Sequence, residues 1–525
     1  MIRTSTVRRR SAALLLAFAA AMPGSLVKTL QAAAPSRPNI VYILADDLGY
    51  GDVGCYNPAS KLPTPNIDRL AGEGVRFTDA HSPSSVCTPS RYALLTGRYA
   101  WRTRLQRNVI GPFAPPLIAE SRLTVPELLR AQGYATACIG KWHLGWGWPR
   151  PGADGKRDFT RPIPNGPTAR GFDLYFGTDI PNFPPYCFLE NDRTVGIPSI
   201  AAPLARDAFN IPGPMVPGWR LVDVLPGLER RAVAYVESAA QDAKQGKPFF
   251  LYLALTSPHY PVVPSADFKG KSRAGLYGDY VLQTDHVVGK VLDALKSGGV
   301  ADNTLVIFTS DNGPEVSGEV HPGVYDRIKE FGHASMGPLR GAKRDAWEGG
   351  HRVPFIVRRP GKAQAGGTCD ETVCHVDLMA TLAALFDVKL PADAGEDSVN
   401  ILPALLGEER KAPLREATVH HTGQGNFAIR RGDWVLIFAP SGDDNRKQGE
   451  PAWFRKDRGY TAHAEAGELY NLAADPTQKY NLYASESAKV KELTALMERY
   501  VEEGRSTPGP RQKNDVDITW DKRRK

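Results

Sequence analysis

Short, continuous apolar segments recur along this chain, and stretches with helical periodicity separate them. The apolar segments are Asn39–Leu44, Ala135–Ile139, Phe249–Leu255, Leu305–Phe308 and Phe355–Val357. Continuous hydrophobicity, unlike strict alternation, is typical of strands that are buried on both faces of a parallel sheet. The helical patterns include Val125–Gln132 and Tyr277–Lys296. This alternation predicts an α/β fold with a large, mostly parallel sheet flanked by helices.

Charged and polar residues follow the first four segments directly. They are Asp46 and Asp47, then Lys141 and His143, then His259, and finally Asp311 and Asn312. Open α/β sheets bind ligands beyond the carboxyl ends of their strands, so these side chains should meet at one edge. Any one of them alone is more simply explained as a loop residue. The same placement after four strands is hard to obtain by chance, which favours a functional site.

The chemistry of these side chains narrows the kind of site. Oxygen is the only ligand atom that the three aspartates and Asn312 offer, which suits Ca²⁺ or Mg²⁺ better than Zn²⁺. Cationic side chains accompany them at Arg91, Lys141 and Lys343. A divalent cation beside lysine and arginine describes a pocket for a tetrahedral oxyanion, in which charge stabilisation is the main catalytic effect.

Several sequence motifs make the interpretation more specific. The segment Cys87–Tyr99 reads CTPSRYALLTGRY. Other motifs lie at Pro38–Asp52, Pro65–Ala71, Gly140–Gly145, Ser310–Gly313, Leu339–Lys343, Glu468–Leu472 and Asp475–Pro476. Together, and in this order, they resemble the formylglycine-dependent type I sulfatases of the alkaline phosphatase superfamily. The resemblance covers most of the chain, and it implies an alkaline phosphatase-like fold with a smaller C-terminal α+β subdomain.

The resemblance also implies how the cysteine is used. In that family a formylglycine-generating maturation enzyme oxidises this cysteine to an aldehyde, and the hydrated aldehyde attacks sulfur. Cys87 would therefore become formylglycine, and Arg91 would hold its hydrate. One ion, Ca²⁺ or alternatively Mg²⁺, would be bound by Asp46, Asp47, Asp311, Asn312 and the modified Cys87.

The remaining catalytic roles follow from the same resemblance. Lys141 and Lys343 would bind the sulfate oxygens as negative charge builds up in the transition state. His143 would take a proton from the second hydroxyl of the hydrate, which releases sulfate. His259 would donate a proton to the leaving alcohol.

Two more histidines are candidate substrate contacts. His333 lies ten positions before Lys343, and His421 belongs to a histidine pair ahead of the strand-like segment Trp434–Phe438. In similar enzymes, loops such as the one that follows this pair lean over the pocket and help to select the substrate. The alternative interpretation of each histidine is an ordinary loop position.

The N-terminal residues have the pattern of a secretory signal peptide. Arginines precede the apolar run Ala12–Met22, and the small residues Ala32–Ala34 follow it. We therefore predict a signal peptide over residues 1–34 and export to the periplasm or the extracellular space. The apolar run is shorter than the roughly 20 residues of a membrane span, so no stable membrane insertion is expected.

The rest of the chain divides into parts with different patterns. We predict a catalytic domain over residues 37–390, a C-terminal subdomain with an antiparallel sheet and a helix over 415–510, and a polar tail over 511–525. The formal net charge of +8 falls to +3 without residues 1–34, and no basic stripe for nucleic acid is present. Cys369 and Cys374 are close enough in sequence to form one local disulfide.

These observations predict an exported sulfatase that hydrolyses a sulfate monoester on a sulfated carbohydrate, and also aryl sulfates. One alternative is a phosphate or phosphonate ester hydrolase on the same scaffold, because phosphate and sulfate have the same shape. Zinc-dependent relatives tend to have a histidine where this chain has Asn312, which disfavours the phosphatase. The other alternative is an inactive protein that binds sulfated glycans, but no expected catalytic residue is missing.

Overall fold

The computed structural model describes residues 37–153, 155–203, 211–317, 321–408 and 410–523. The chain from Arg37 onward forms one compact unit. The predicted signal peptide lies outside the described residues. Within those ranges, none of the helices combines the length and hydrophobicity that a bilayer crossing requires.

The strands and helices of the described residues have the following bounds. The strands are β1 (Asn39–Asp46), β2 (Val75–Phe77), β3 (Ala80–His81), β4 (Ala135–Lys141), β5 (Leu174–Thr178), β6 (Phe188–Glu190), β7 (Arg193–Val195), β8 (Ile200–Ala201), β9 (Pro214–Met215), β10 (Phe249–Pro258), β11 (Thr304–Ser310), β12 (Phe355–Arg358), β13 (Gly367–Cys369), β14 (Val373–Cys374), β15 (Thr418–His421), β16 (Phe427–Arg431), β17 (Trp434–Ile437) and β18 (Glu468–Asn471). The α-helices are α1 (Pro65–Gly72), α2 (Cys87–Thr96), α3 (Val125–Ala131), α4 (Val224–Ala243), α5 (Gly275–Ser297), α6 (Val324–Phe331), α7 (Glu348–His351), α8 (Leu378–Leu385), α9 (Leu402–Leu405), α10 (Ala452–Arg458) and α11 (Ser487–Glu502).

The described residues contain one large sheet, whose ten strands follow the order β13-β2-β12-β11-β1-β10-β4-β5-β6-β7. Its centre, from β11 through β1, β10 and β4 to β5, is entirely parallel. Four of the five predicted strands form this centre, so the predicted fold class of a mostly parallel α/β sheet is confirmed.

The fifth predicted strand runs the other way. β12 is antiparallel to β11, with Phe355 opposite Thr309. The chain leaves β11 at its carboxyl end and starts β12 near that same edge, so no crossover returns it to the opposite edge. The apolar composition of β12 does not indicate its direction, because Phe355, Ile356 and Val357 are buried, and buried strands have the same composition whether they run parallel or antiparallel.

Both faces of the sheet are covered, and β1 shows how. Ile40 and Tyr42 pack into one apolar cluster, which also contains residues of α2, α3 and α8. Val41 and Ile43 pack into a second cluster on the other face, with residues of α1, α4 and α5. Burial of each such side chain stabilises the fold by about 1.5–3 kcal/mol. Helices on both faces therefore explain the continuous apolar strands.

A smaller antiparallel sheet, β15-β16-β17-β18, lies in the C-terminal part. Helix α11 packs against it through Leu493 and Met497. The segment predicted as a polar tail makes specific contacts: Asn514 accepts a hydrogen bond from Arg102 at 2.9 Å, and Asp515 lies 2.9 Å from Arg98.

The local disulfide suggested by the sequence is not formed, since Cys369 and Cys374 are free thiols. The two residues belong to different sheets. Cys369 ends β13 in the large sheet, whereas Cys374 in β14 pairs with β3 in a separate two-stranded sheet.

Candidate active site

The floor of the site is built at the carboxyl ends of the central strands. Asp46 ends β1, Lys141 ends β4, and Asp311 follows β11 directly. Ala45 lies opposite Ser310 in the parallel pairing, so Asp46 and Asp311 leave the sheet side by side. All three charged side chains are fully enclosed by protein. The register of the sheet therefore brings residues distant in sequence into one group.

Two cations neutralise the aspartates of this group. Lys141 Nζ donates to both carboxylate oxygens of Asp46, at 2.7 and 3.0 Å. Arg91 donates to Asp311 Oδ2 through Nε at 3.1 Å and through Nη2 at 2.7 Å. Burial opposes ionisation of Asp46, but the nearby charges, Lys141 foremost, outweigh it and hold the pKa of its carboxyl well below the usual range. Buried charges of this kind persist because each one has a partner.

Asp47 points toward the same group although it is the neighbour of Asp46. Consecutive residues of a regular strand face opposite sides of the sheet. Asp47 lies beyond the end of β1 and has a left-handed φ of 66°, a conformation that few residues other than glycine adopt. Its carboxylate accepts from Lys343 Nζ at 2.7 Å and from Asn312 Nδ2 at 2.7 Å. The backbone change at Asp47 thus lets two adjacent carboxylates converge.

Cys87 is the first residue of α2, and the N-terminus of that helix faces the group. The peptide dipoles at a helix N-terminus favour an anion there. Burial raises the pKa of the Cys87 thiol to about 12, although Lys141 and Lys343 act in the opposite direction. An unmodified Cys87 would therefore remain a neutral thiol at physiological pH, which makes it a poor nucleophile.

His143 is held in one tautomer by the backbone of a neighbouring loop. Its Nε2 lies 3.0 Å from the carbonyl oxygen of Ile110, which can only accept, so Nε2 carries the proton. Its Nδ1 is enclosed and has no hydrogen-bond partner among the described residues. Burial, followed by the charges of Lys141 and Arg91, holds the pKa of His143 well below its usual value. The result is a neutral imidazole with a free lone pair, as a general base requires.

His259 lies on the other side of the group. Its Nδ1 contacts the carbonyl oxygen of Tyr260, and its Nε2 lies 3.7 Å from Asp47 Oδ2. Burial and then the charge of Lys343 lower the pKa of His259, while Asp46 and Asp47 oppose that effect. Both histidines therefore have lowered pKa values, and the contacts of their ring nitrogens distinguish them: His143 Nδ1 is enclosed without a partner in the described chain, whereas His259 Nε2 lies near Asp47.

A cavity of about 330 Å³ opens above this floor. Cys87, His143, His259 and Lys343 line it, together with residues that the sequence analysis did not single out. The latter are Val86, Asn108, Val109, Ile180, Asn182, Phe183, Tyr260, Glu315, Ser317 and Arg344, and the cavity is also lined by Gly423, which belongs to the loop that follows the histidine pair. Glu315 and Arg344 could have been found from sequence, since one lies four residues after Asp311 and the other follows Lys343. Asn182 follows a strand that the sequence analysis did not identify.

Neither His333 nor His421 lines this cavity, as far as the described residues define it. His333 is fully enclosed, and its Nε2 lies 2.8 Å from Asp52 while its Nδ1 accepts from the amide of Lys61. It therefore supports the turn that follows Asp47. The ring of His421 is buried against Phe427.

The donor set at the floor fits a hard divalent cation. Ligand atoms of Asp46, Asp47, Cys87 and His259 all lie within 4.8 Å of one another. Asn312 Oδ1 is buried without a hydrogen-bond partner in the described part of the chain, although its Nδ2 is bonded. Burial and the charge of Asp46 raise the pKa of Asp311 to about 7, which indicates more carboxylate than the cations neutralise. A bound divalent cation would relieve both features.

A second group of possible ligands, His81, His351 and His420, does not have this character. His81 and His351 are bonded to each other through Nδ1 at 3.1 Å. Both nitrogens of His420 have partners, Ser82 and Thr418. The rings of His351 and His420 are stacked, so their lone pairs do not converge. This cluster therefore belongs to the packing behind the site.

A mostly parallel sheet that gathers acids, lysines, an arginine and two histidines at one edge, beside a cavity lined by Cys87, has the features of a hydrolase for esters of a tetrahedral oxyanion. Residues 38–388 match the family model described as Sulfatase. The chain belongs to the sulfatase family and is a sulfuric ester hydrolase.

Individual relatives agree with this assignment. The chain is 36% identical over 500 residues to an N-acetylgalactosamine-6-O-sulfatase of Bacteroides thetaiotaomicron, covering 88% of this chain and 93% of that protein. Arylsulfatase A of Homo sapiens is 35% identical over 497 residues, covering 91% and 90%. A solved sulfatase from work on glycosaminoglycan metabolism by B. thetaiotaomicron superposes with a TM-score of 0.75 at 34% identity, covering 88% of this chain and 99% of that one.

Proposed function

We propose that this protein is an exported sulfatase that removes sulfate from a sulfated carbohydrate and also hydrolyses aryl sulfates. The observation that carries the proposal is the enclosed group of Cys87, Arg91, Lys141 and the paired aspartates at the end of the parallel sheet. The named activities of similar proteins support a sugar sulfate as substrate. The signal-like pattern over residues 1–34 supports export.

The nucleophile is proposed to be formylglycine made from Cys87 by a maturation enzyme. The hydrate of that aldehyde would supply an oxygen nucleophile, which a buried thiol with a pKa of about 12 does not. Cys87 begins α2 at the floor of the cavity. Arg91 lies one turn further along that helix and is fixed by Asp311, so it can hold the side chain at position 87 from below.

A single Ca²⁺, or alternatively Mg²⁺, is proposed to be held by Asp46, Asp47, Asp311, Asn312 and residue 87. When bound, such an ion would withdraw charge from the oxygens it contacts. Asn312 Oδ1 has no partner among the described residues, and ligand atoms of Asp46, Asp47 and Cys87 lie within 4.8 Å of one another, which supports this role.

The lysines would stabilise charge on the sulfate group. Lys343 lines the cavity and is held by Asp47 at 2.7 Å and Glu315 at 3.3 Å. Burial lowers the pKa of Lys343, but Asp47 leads the charges that raise it well above its usual value. Lys141 is held by Asp46 in the same way, with a raised pKa. Both ammonium groups therefore stay charged and fixed before the substrate arrives, which is the condition for electrostatic catalysis.

The two histidines would move protons in opposite directions. His143, with Nε2–H held by Ile110 and a free Nδ1, would accept a proton at Nδ1. His259 would donate a proton to the leaving oxygen. Asp46 and Asp47 favour the protonated form of His259, although burial and the charge of Lys343 lower its pKa.

The proposal is tested by expressing the chain together with a formylglycine-generating enzyme. Sulfate release is then measured from a panel of monosulfated hexoses, 4-nitrophenyl sulfate and the matching phosphates. We expect release from the sulfates and little from the phosphates. The peptide that contains residue 87 should carry an aldehyde by mass spectrometry. Equal or faster turnover of the phosphates would favour the phosphatase alternative, and binding of sulfated sugars without turnover would favour an inactive binder.

A further inference from the structure

The loop that follows β5 forms one wall of the cavity. Ile180, Asn182 and Phe183 line this wall, next to His143 and His259. β5 is parallel to β4, so its loop emerges at the same edge of the sheet as Lys141 and His143. The ring of Phe183, the residue after Asn182, lies 6.5 Å from the ring of His143 between centroids, so this wall is close to a residue that is proposed to move a proton.

Main-chain contacts fix the shape of this loop. The hydroxyl of Tyr186 lies 2.8 Å from the carbonyl oxygen of Ile211 and 3.1 Å from that of Asn182, and its single proton is shared between these two acceptors. The amide of Phe183 donates to the carbonyl oxygen of Ile180 at 3.1 Å. None of these contacts uses the side-chain amide of Asn182. Its position is set by the loop, and its hydrogen-bonding groups are not needed to hold the loop.

The side-chain amide of Asn182 makes no hydrogen bond to any residue that the structure describes. Asn182 is only 6% exposed, and its Oδ1 is enclosed. Folded proteins pair nearly all of their buried polar groups, so an unpaired buried amide needs an explanation. Asn182 lines the substrate cavity, and its Nδ2, which is not among the enclosed atoms and has no hydrogen bond within the described chain, is the amide group that a bound molecule would reach.

The surroundings indicate the chemistry of that partner. Ile180 and Phe183, which flank Asn182 in the wall, are apolar and carry no charge. Elsewhere in the cavity lining, Arg344 is already paired with Glu315, with Nη1 3.2 Å from a carboxylate oxygen. A charged group beside Asn182 would find no counter-charge in this wall. A carboxamide both donates and accepts hydrogen bonds, as a hydroxyl does.

We infer that Asn182 is a specificity-determining residue that hydrogen-bonds a neutral hydroxyl of the sulfated sugar, close to the ester that is cleaved. This inference rests on the proposed sugar-sulfatase function. It separates two kinds of substrate, because a sugar sulfate carries such a hydroxyl and 4-nitrophenyl sulfate does not.

The test compares Asn182→Ala and Asn182→Leu with the wild type on both kinds of substrate. For the best monosulfated hexose of the panel, kcat/KM should fall by about 10- to 100-fold, the size expected when a hydrogen bond to a substrate hydroxyl is lost. For 4-nitrophenyl sulfate it should change by less than about 2-fold, since no contact is removed. The melting temperature should stay equal or rise, because no hydrogen bond within the described protein is broken.

A substrate analogue completes the cycle. Removing the hydroxyl next to the sulfated carbon should reduce turnover by the wild type but cause no further loss in Asn182→Ala. Tyr325→Phe is the matched control, since it removes another buried hydrogen-bonding group without a partner in the described chain, away from the cavity lining. It should leave both activities unchanged.

Other outcomes would overturn the inference in distinguishable ways. Equal losses on the hexose sulfate and on 4-nitrophenyl sulfate would assign Asn182 a structural or catalytic role, and no loss on either would show that it does not contact substrate. Wild-type activity on aryl sulfates without activity on any sugar sulfate would overturn the sugar assignment and this inference together. Absence of both wild-type activities would overturn the proposed function itself.

Discussion

The floor and the wall of the cavity are built in opposite ways. At the floor, strand ends supply charged side chains that are enclosed and paired, such as Asp46 with Lys141 and Asp311 with Arg91. In the wall, loops supply apolar side chains and the unpaired amide of Asn182. Charges can be buried at the floor only because each has a partner. The unpaired amide in the wall is instead explained, under the inference above, by a hydrogen bond to substrate.

This difference separates the reaction from its specificity. Under the proposed function, the floor would act on the sulfate group that every substrate shares, whereas the wall would contact only the part of the substrate that leaves. Changes at the floor should therefore affect all substrates alike, and changes closer to the leaving group should depend on the substrate. The following predictions test this distinction, starting with the largest effect.

Loss of the side chain at position 87 should abolish activity on every substrate. Cys87→Ala removes the precursor of the nucleophile, and we expect kcat to fall by about 10⁵-fold or more for aryl and sugar sulfates alike. Cys87→Ser is the matched control, since it offers a hydroxyl of similar size that the cysteine-oxidising maturation enzyme does not convert, and it should be equally inactive. Full activity of protein whose Cys87 is shown by mass spectrometry to be unmodified would contradict the prediction.

Removal of divalent cations should have the next largest effect. We expect chelation to reduce turnover of all substrates by about 10⁴-fold, because an ion at the floor acts on the sulfate and not on the leaving group. Ca²⁺ should restore activity, and Zn²⁺ should not. The melting temperature is a readout that does not depend on activity, and it should rise when Ca²⁺ is added back. At a Ca²⁺ concentration of 100 Kd, binding increases the free energy of unfolding by about 2.7 kcal/mol. Chelated protein with unchanged activity and melting temperature would rule out the ion.

The two histidines should divide according to leaving group. His259→Ala should reduce turnover of a sugar sulfate by about 10³-fold, because an alkoxide leaves poorly without a proton. The same variant should lose much less on 4-nitrophenyl sulfate, whose leaving group needs little protonation. His143→Ala should reduce both activities to a similar extent. Steady-state kinetics with both substrates measures this, and equal losses in His259→Ala would show that its role is not acid catalysis.

The pH profile gives an independent check on His259. The pKa of His259 is lowered from 6.5, so as the pH rises the imidazole loses its proton at a pH below 6.5. Sugar-sulfate turnover should therefore fall as the pH rises through that range, and the fall should be weaker for 4-nitrophenyl sulfate. In His259→Ala this difference between the two substrates should disappear.

The smallest effect concerns the packing that supports the floor. The carbonyl oxygen of His421 accepts from Ser84 Oγ at 2.7 Å, just ahead of Cys87. Burial lowers the pKa of His421 to about 4. Between about pH 4 and 6.5 the unfolded chain binds a proton at this residue and the folded chain does not, so stability decreases as the pH falls. At pH 5 this amounts to about 2 kcal/mol.

Substitution of His421 should therefore change the pH dependence of stability but not the reaction. In His421→Phe, the loss of unfolding free energy between pH 7 and pH 5 should be smaller by about 2 kcal/mol than in the wild type. Denaturant unfolding at both pH values measures this. Phe427→Leu, which alters the ring that stacks on His421, is the control and should keep the wild-type pH dependence. An unchanged pH dependence in His421→Phe would show that the histidine is accessible to protons in the folded state.

Several central elements could be read from the sequence because their signals are local. β1, β4, β10 and β11 are continuous apolar runs, since both faces of each strand are covered. Helix α5 was predicted as Tyr277–Lys296 and spans Gly275–Ser297. The short strands near one end of the sheet, β2 and β13, were not predicted. They have three residues each, too few for their composition to show a pattern.

The residues of the floor were also predictable, because each follows a recognisable strand or lies in a short motif. Their pairing was not. Asp47 reaches Lys343 across 296 positions of sequence, and Arg91 reaches Asp311 across 220. These contacts depend on the register between strands, which a single strand does not contain.

The sequence by itself therefore determined the type of sheet, the chemical groups at its carboxyl edge and the resemblance to sulfatases. The tertiary structure alone decided the direction of β12, the position of His333 beneath the turn at Asp52, and the choice of Asn182 for the cavity wall. The physical reason is the range of each interaction. Burial and strand ends leave a local trace in composition, whereas loop positions and hydrogen-bond partners arise only when distant segments pack together.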